Sequence, residues 1–273
     1  NWEGYKFKVS FQNRIIAVSV TKTEVEYTLL EGSEISIHHF YTELLLRPGV
    51  PEKVSIKPQL EAVIFDLDGV ITDTVEYHYL AWKQIADELG IPFDRDYNEN
   101  LKGISRMESL ELILKLGDRQ YSLDEKKKLA EKKNDYYQEL IDRMTPADLL
   151  PGIASLLAAL KARGIKIGLA SVSKNARKVI EKLQITDYFD YVVDPATVRK
   201  GKPDPEIFLV CAEHMRVPVQ NCVGIEDAEA GIAAIKAANM KAVGVGRPDM
   251  MHQADIAVQD TSRLTVDLLT SLF

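Results

Sequence analysis

The chain has 273 residues, 46% hydrophobic and 27% charged, and 41 acids against 34 lysines and arginines leave a net charge of −7. This is an ordinary globular composition with chain enough for one or two domains and a sizeable core. The negative balance disfavours nucleic acid or an anionic membrane as partner, and neither a signal peptide nor a bilayer-length apolar run is present. Cys211 and Cys222 lie in apolar segments without metal-type spacing. They read as small core residues, and a cytoplasmic, reducing compartment is the simplest setting.

The first 50 residues carry β patterning. Lys6, Lys8, Ser10 and Gln12 alternate with Phe7, Val9 and Phe11, and residues 15–20, 24–29 and 34–39 continue in the same style. Asn13, Lys22-Thr23 and Glu31-Gly32-Ser33 fall between them as turn signals. The pattern predicts a small antiparallel module of about four strands with one buried face. His38-His39 fits a solvated strand pair better than a metal site. Residues 51–60, with Pro51 and Pro58, read as a linker.

Beyond the linker, the apolar run Ala62-Val63-Ile64-Phe65 predicts a buried strand, and Asp66-Leu67-Asp68-Gly69 follows directly. Asp66 and Asp68 therefore stand at a strand's carboxyl end, where open α/β sheets place ligands. Two acids in one small loop repel unless a cation lies between them, and a hard divalent ion such as Mg²⁺ partnered by a phosphate is the usual answer. One acid is then free to act as a nucleophile. An EF-hand fails, because that loop needs Gly at its sixth position and Glu at its twelfth, where Tyr77 stands. A plain solvated turn is the remaining ordinary alternative.

Residues 75–150 interrupt the α/β alternation with helical patterns at 76–89, 106–116 and 123–143. The last carries Glu125-Lys126-Lys127-Lys128, a mostly solvated face. Strand patterns then resume. Residues 165–170 lead into Ser171-Val172-Ser173-Lys174-Asn175 and a helix at 176–183, a candidate phosphate cradle or a simple N-cap. Gly201-Lys202-Pro203-Asp204-Pro205 presents Lys202 from a stiff loop, where a fixed ammonium can neutralise a phosphoryl group. Val223-Gly224-Ile225-Glu226-Asp227 ends another strand in two acids before a helix at 229–239; these fit a metal as well as a helix dipole. Further strands are expected at 191–193, 240–245 and 256–258.

In this order, Asp-x-Asp-Gly, a strand-end Ser, Lys-Pro and Glu-Asp resemble the four motifs of the haloacid dehalogenase superfamily of phosphotransferases. The run from Asp66 to His78 looks like the opening of the β-phosphoglucomutase family. So do Trp82, Leu101-Lys102-Gly103-Ile104-Ser105-Arg106, Lys133-Asn134-Asp135, Thr145-Pro146-Ala147-Asp148 and Gly244-Val245-Gly246-Arg247-Pro248. The resemblance covers residue 60 to the C-terminus. It implies an α/β fold with a Rossmann-like parallel sheet core (61–74 and 151–273), an inserted helical cap (75–150) and the β module in front (1–50). The cap would close over a sugar and exclude water.

The resemblance also implies roles. Asp66 would be the nucleophile, Asp68 the general acid and base, and Ser171 and Lys202 would hold the transferring phosphoryl group. Asp66, Asp68 (through its backbone carbonyl), Glu226 and Asp227 would bind Mg²⁺. Thr74, His78, Trp82, Gly103, Arg106, Lys133, Ser173, Lys174 and Asn175 would contact substrate, with Arg106 on the phosphate that is not reacting. The implied reaction converts β-D-glucose 1-phosphate to glucose 6-phosphate, with glucose 1,6-bisphosphate as intermediate and activator. Val172 stands where a small Ala is usual, Ala228 where a Ser is common, and Lys200-Gly201 where smaller residues are common, which puts efficiency in question. A Mg-dependent sugar-phosphate phosphatase on the same scaffold is the alternative. An inactive α/β domain serving a binding module is the third reading, disfavoured because clustered acids without a metal would only cost stability. Residues 1–50 resemble the C-terminal β-sandwich of disaccharide phosphorylases of the maltose and kojibiose type, which implies fusion to, or association with, such an enzyme.

Overall fold

The computed structural model describes residues 3–101, 104–247 and 251–273. The chain forms two compact units that divide between residues 59 and 60.

In the first unit, strands β1 (Tyr5–Phe11), β2 (Arg14–Val20), β3 (Glu24–Glu31), β4 (Ile35–His39), β5 (Thr42–Leu46) and β6 (Pro51–Ser55) follow one another. They make an antiparallel sheet of order β1-β2-β3-β6 and a separate β4-β5 hairpin. The period-2 alternation gives this sheet its inner face of Ile16, Val18, Val25 and Leu29, onto which Leu46 of the hairpin packs. Two expectations need correction. The stretch 51–60 is not simply a linker, because its first half is strand β6, paired with β3 from Thr28↔Pro51 to Glu24↔Ser55. The module accordingly has six strands rather than about four. Proline masked the sixth, yet at the first residue of an edge strand its missing N–H costs no ladder bond. Phe40, with φ 50°, turns β4 back into the fifth strand, for which no Gly or Asn gave warning.

The second unit begins with β7 (Ala62–Phe65), whose four apolar residues are all fully buried, as expected of a parallel strand covered on both faces. The inserted cap follows as α1 (Val75–Leu89), α2 (Arg95–Asn98), α3 (Arg106–Leu114) and α4 (Leu123–Ile141). Ser105 with Glu108, and Ser122 with Glu125, form capping boxes that start α3 and α4. Both helices stop two residues short of their predicted ends, and the short α2, capped by Asp94, had no periodic signal to announce it. The core resumes with α5 (Ile153–Ala162), β8 (Lys166–Leu169), α6 (Ala176–Lys182), β9 (Tyr191–Val192), α7 (Glu206–Met215), β10 (Cys222–Glu226), α8 (Glu229–Ala237), β11 (Lys241–Val245), β12 (Ile256–Val258) and α9 (Val266–Thr270).

The six strands form one parallel sheet of order β12-β11-β10-β7-β8-β9. Val63 and Phe65 of β7 point into one apolar layer with residues of α5, α6 and α9, while Ala62 and Ile64 join α7 and α8 on the other face. The cap has its own cluster around Trp82, Ile85, Leu110 and Ile113. Helix α4 takes part in both: Ala130 packs in the cap cluster, whereas Tyr137 and Ile141 belong to the main core. Among the described residues no helix is long and apolar enough to cross a membrane.

Candidate active site

The chain leaves β7 for β8 on one side and later returns to β10 on the other, so the strand order reverses at β7. Such a reversal opens a crevice at the carboxyl ends of the strands. Asp66 continues the ladder there, its N–H donating to the Ile225 carbonyl at 2.9 Å. Glu226 ends β10 beside it. Gly69, at φ +79°, turns the loop; a β-carbon there would lie 2.2 Å from the Asp227 carboxylate, so only glycine lets the two acidic loops meet. Gly231 likewise leaves room for the Glu226 side chain, which a β-carbon would overlap at 1.8 Å.

Lys202 is the positive centre. Its buried ammonium donates to Asp66 Oδ1 at 2.6 Å and to Glu226 Oε1 at 2.7 Å. The loop that carries it is tied down by Glu206, whose carboxylate accepts the Arg199 and Lys200 N–H groups at 2.9 Å each. Burial opposes the charge on Lys202, but the two carboxylates outweigh it and hold its pKa above the usual lysine range. Asp66 Oδ2 accepts the Asp68 N–H at 3.0 Å, and Glu226 Oε2 accepts the Asp227 and Ala228 N–H groups at 2.8 and 3.3 Å. Ala228, without a hydroxyl, thus leaves Glu226 held by backbone amides.

Burial pushes the Asp66 carboxyl up to about 6, with Lys202 pulling it down and Glu226 adding to the rise. Asp68 is pushed further, to about 8, by burial first and then by the charge of Asp66. Oxygen atoms of Asp66, Glu226 and Asp227 lie within 4.8 Å of one another. A single ammonium beside this many acids leaves negative charge uncompensated in a buried place, and the donors are all oxygen. The cluster therefore suits a hard cation.

The cap supplies the opposite wall. Lys133 Nζ bonds His78 Nδ1 at 2.7 Å, and His78 Nε2 lies 3.9 Å from Asp68 Oδ2. An ammonium can only donate, so Nδ1 accepts and the neutral ring carries its proton on Nε2, the side facing Asp68. Burial, then Lys133 and Arg106, hold the His78 pKa well below its ordinary value. Lys133 itself is lowered to about 7 by burial and by Arg106, with Asp68 opposing. Its ammonium lies 5.0 Å from the Trp82 ring centre and 4.5 Å from that of Tyr137. Asn134 joins cap to core: its Oδ1 accepts from Arg106 and from Asn175 Nδ2, both at 2.8 Å.

Asp66, Asp68, His78, Trp82, Arg106, Lys133, Ser173, Lys174, Glu226 and Asp227 all line one cavity of about 640 Å³. Thr74, Ser171, Asn175 and Lys202 are not among the residues that line it; Ser171 Oγ accepts the Ser173 N–H at 3.1 Å. Gly103 lies outside the described residues. Val172, Ala228 and Lys200-Gly201, the three departures from the expected pattern, are all on the cavity wall.

Tyr137 went unrecognised in the sequence. It stands one helical turn after Lys133, fully buried, with its ring 4.1 Å from that of His78 and its hydroxyl among those of Thr74 and Ser173. Only the i, i+4 spacing from Lys133 could have found it. Its oxygen, Thr74 Oγ1, Asp68 Oδ1 and His78 Nε2 are buried without a hydrogen bond of regular geometry. Buried polar atoms are rarely left so, and a carboxylate oxygen with three such atoms from its surroundings marks a place built for a polar ligand.

Residues 60–239 match the family model described as haloacid dehalogenase-like hydrolase, and the chain belongs to that family. Over 212 residues, 77% of this chain and 94% of its relative, it is 58% identical to the β-phosphoglucomutase of Bacillus subtilis. The crystal structure of a β-phosphoglucomutase from Clostridium difficile superposes with a TM-score of 0.75 at 51% identity, covering 78% of this chain and 96% of that one. A phosphorylated carbohydrates phosphatase of Thermotoga maritima is 33% identical over 188 residues, 67% of this chain and 84% of that protein. Residues 1–46 match the C-terminal domain of glycosyl hydrolase family 65.

Proposed function

We propose that the chain is a β-phosphoglucomutase, converting β-D-glucose 1-phosphate to glucose 6-phosphate through a phosphorylated Asp66 and glucose 1,6-bisphosphate. The observation that carries this over a phosphatase is the Lys133–His78 bond, which turns His78 Nε2 toward Asp68 from the cap. A phosphatase needs only the core acids, because water is its acceptor. A mutase must hold a sugar against Asp68 and protonate or deprotonate its hydroxyl.

In the forward half-reaction an Asp66 oxygen attacks the phosphorus of the bisphosphate. The bond from phosphorus to the sugar oxygen breaks, and Asp68 delivers a proton to that oxygen. Asp68 favours its protonated form near neutrality, as a donor must. In the return half-reaction Asp68, now ionised, takes the proton of the free 6-hydroxyl of an incoming β-glucose 1-phosphate as that oxygen attacks the phospho-aspartate; the bond from phosphorus to Asp66 breaks, and the bisphosphate is regenerated. Lys202 and the Asp68 N–H fix the Asp66 carboxylate, one on each oxygen. Ser171 and nearby backbone N–H groups hold the phosphoryl oxygens, and Arg106 takes the distal phosphate through its planar fork. Thr74, Trp82, Gly103, Ser173, Lys174 and Asn175 would form the rest of the sugar and phosphate contacts. Asp66, Glu226, Asp227 and the Asp68 carbonyl would hold Mg²⁺, which when bound supplies positive charge to the carboxylates and the phosphoryl group. We place the reaction in the cytoplasm, where charged sugar phosphates are retained. A disaccharide phosphorylase, fused or associated, is the partner that the N-terminal module suggests.

The test is a coupled assay for glucose 6-phosphate from β-glucose 1-phosphate with Mg²⁺ and a trace of glucose 1,6-bisphosphate, free phosphate being followed in parallel. Rapid glucose 6-phosphate with little free phosphate is expected. Free phosphate without glucose 6-phosphate would make the chain a phosphatase.

A further inference from the structure

The N-terminal module is a sandwich with part of its cover missing. In an antiparallel sheet, residues opposite one another share a face. Phe7 faces Val18 and Val9 faces Ile16, so Tyr5, Phe7, Val9 and Phe11 continue the same inner face whose Ile16 and Val18 are 6% exposed. Strand β5 of the hairpin packs on β3 and β6, whereas every residue of β1 is exposed. On β1 those four side chains are 52, 44, 41 and 51% exposed, and Tyr5 and Phe7 stack on each other with ring centres 5.8 Å apart. Edge strands in stable domains carry charges against such exposure. Here the lysines, Lys6 and Lys8, sit on the outer face only.

We propose that this flank of β1 is the docking surface for the part of a family-65 glycosyl hydrolase that precedes its C-terminal domain. The match to that domain runs from residue 1 to residue 46 and so includes the whole stripe. A domain of that description is one part of a larger enzyme, and its bare apolar flank is where the remainder fits. A second copy of this chain suits the edge less well. Pairing two β1 strands antiparallel about residue 8 sets Lys8 against Lys8, and like charges directly opposite are destabilising. The inference rests on the partner reading above and is independent of the mutase reading.

Co-expression tests it. A family-65 glycosyl hydrolase lacking its own C-terminal domain is produced with and without this full chain, and soluble glycosyl hydrolase activity is measured. The chain should raise that activity about tenfold or more, Phe7→Glu should remove the gain, and Val9→Ser should reduce it. Lys8→Glu, on the outer face of the same strand, should leave it intact. Phosphomutase activity, measured alongside, should stay unchanged in all three variants, which separates failure here from failure of the mutase reading. The contribution of residues 1–59 to the full chain's far-UV circular dichroism, compared with wild type, reports whether the β module itself stays folded. No gain from the chain, a gain indifferent to Phe7→Glu, or a dimer of the chain alone that Phe7→Glu dissolves would each overturn the proposal.

Discussion

The two walls of the active-site cavity are finished to different degrees. On the core wall the Asp66 and Glu226 carboxylates are held on both oxygens: Lys202 bridges them, and backbone amides hold the second oxygen of each. Where the cap meets the core, Asp68 Oδ1, Thr74 Oγ1, His78 Nε2 and Tyr137 Oη are buried without a hydrogen bond of regular geometry. The phosphoryl end is preorganised, as electrostatic catalysis requires, whereas the sugar end is completed by what binds. Chemistry common to the family is thus built into the rigid sheet, and choice of acceptor is left to the cap.

Damage to the finished wall should be largest. Asp66→Asn should abolish both glucose 6-phosphate formation and phosphate release, a loss of about 10⁴-fold or more in the coupled assay. Lys202→Met should abolish turnover as well, and should lower stability by about 3–5 kcal/mol, since it strands two buried carboxylates. Thermal unfolding of the variant would show this; a wild-type melting curve would mean that those carboxylates do not need the ammonium.

Removing divalent cations should stop both activities, and Mg²⁺ should restore them. The cation-free protein should also respond to pH. The carboxyl pKa values of Asp66 and Asp68 are raised to about 6 and about 8, so the folded state holds these protons more tightly than the unfolded chain. Stability from this source is complete below pH ~4 and is lost as the pH rises through 6 to 8. The gain in melting temperature on adding Mg²⁺ should therefore be larger at pH 8 than at pH 5. A gain independent of pH would place the ion elsewhere.

His78→Ala should slow transfer to sugar by about 100-fold while hydrolysis of the phospho-enzyme changes little. Equal losses would remove His78 from the acceptor side. Tyr137→Phe is the finest probe: the ring still packs on His78, but the hydroxyl beside Thr74 and Ser173 is gone. Sugar transfer should fall several-fold while the melting temperature changes little, because a neutral hydrogen bond contributes only about 0.5–1.5 kcal/mol.

What the sequence made legible was the core wall. Asp66, Asp68, Ser171, Lys202, Glu226 and Asp227 each follow an apolar strand or sit in a proline-stiffened loop, so local pattern alone places them at one edge of the sheet. The cap side needed the family resemblance, since His78, Arg106 and Lys133 lie on amphipathic helices where such residues are commonly solvated. Asn134 and Tyr137 escaped individual notice because their importance is a matter of what they face across helices, at which only the i, i+4 spacing of Tyr137 from Lys133 hints. Strand β6 was hidden because Pro51 reads as a breaker unless its edge position is known.

Helix α4 is anchored at both ends of its length, with Ala130 in the cap cluster and Tyr137 and Ile141 in the main core. A rod held this way acts as a lever with its fulcrum at the base of the cap. Its base should exchange amide hydrogens slowly, while α3, packed within the cap alone, exchanges faster. Lys133 and Asn134 sit between the two anchors, so the cap residues that face Asp68 and grip Arg106 ride on the stretch of helix that is tied to the core.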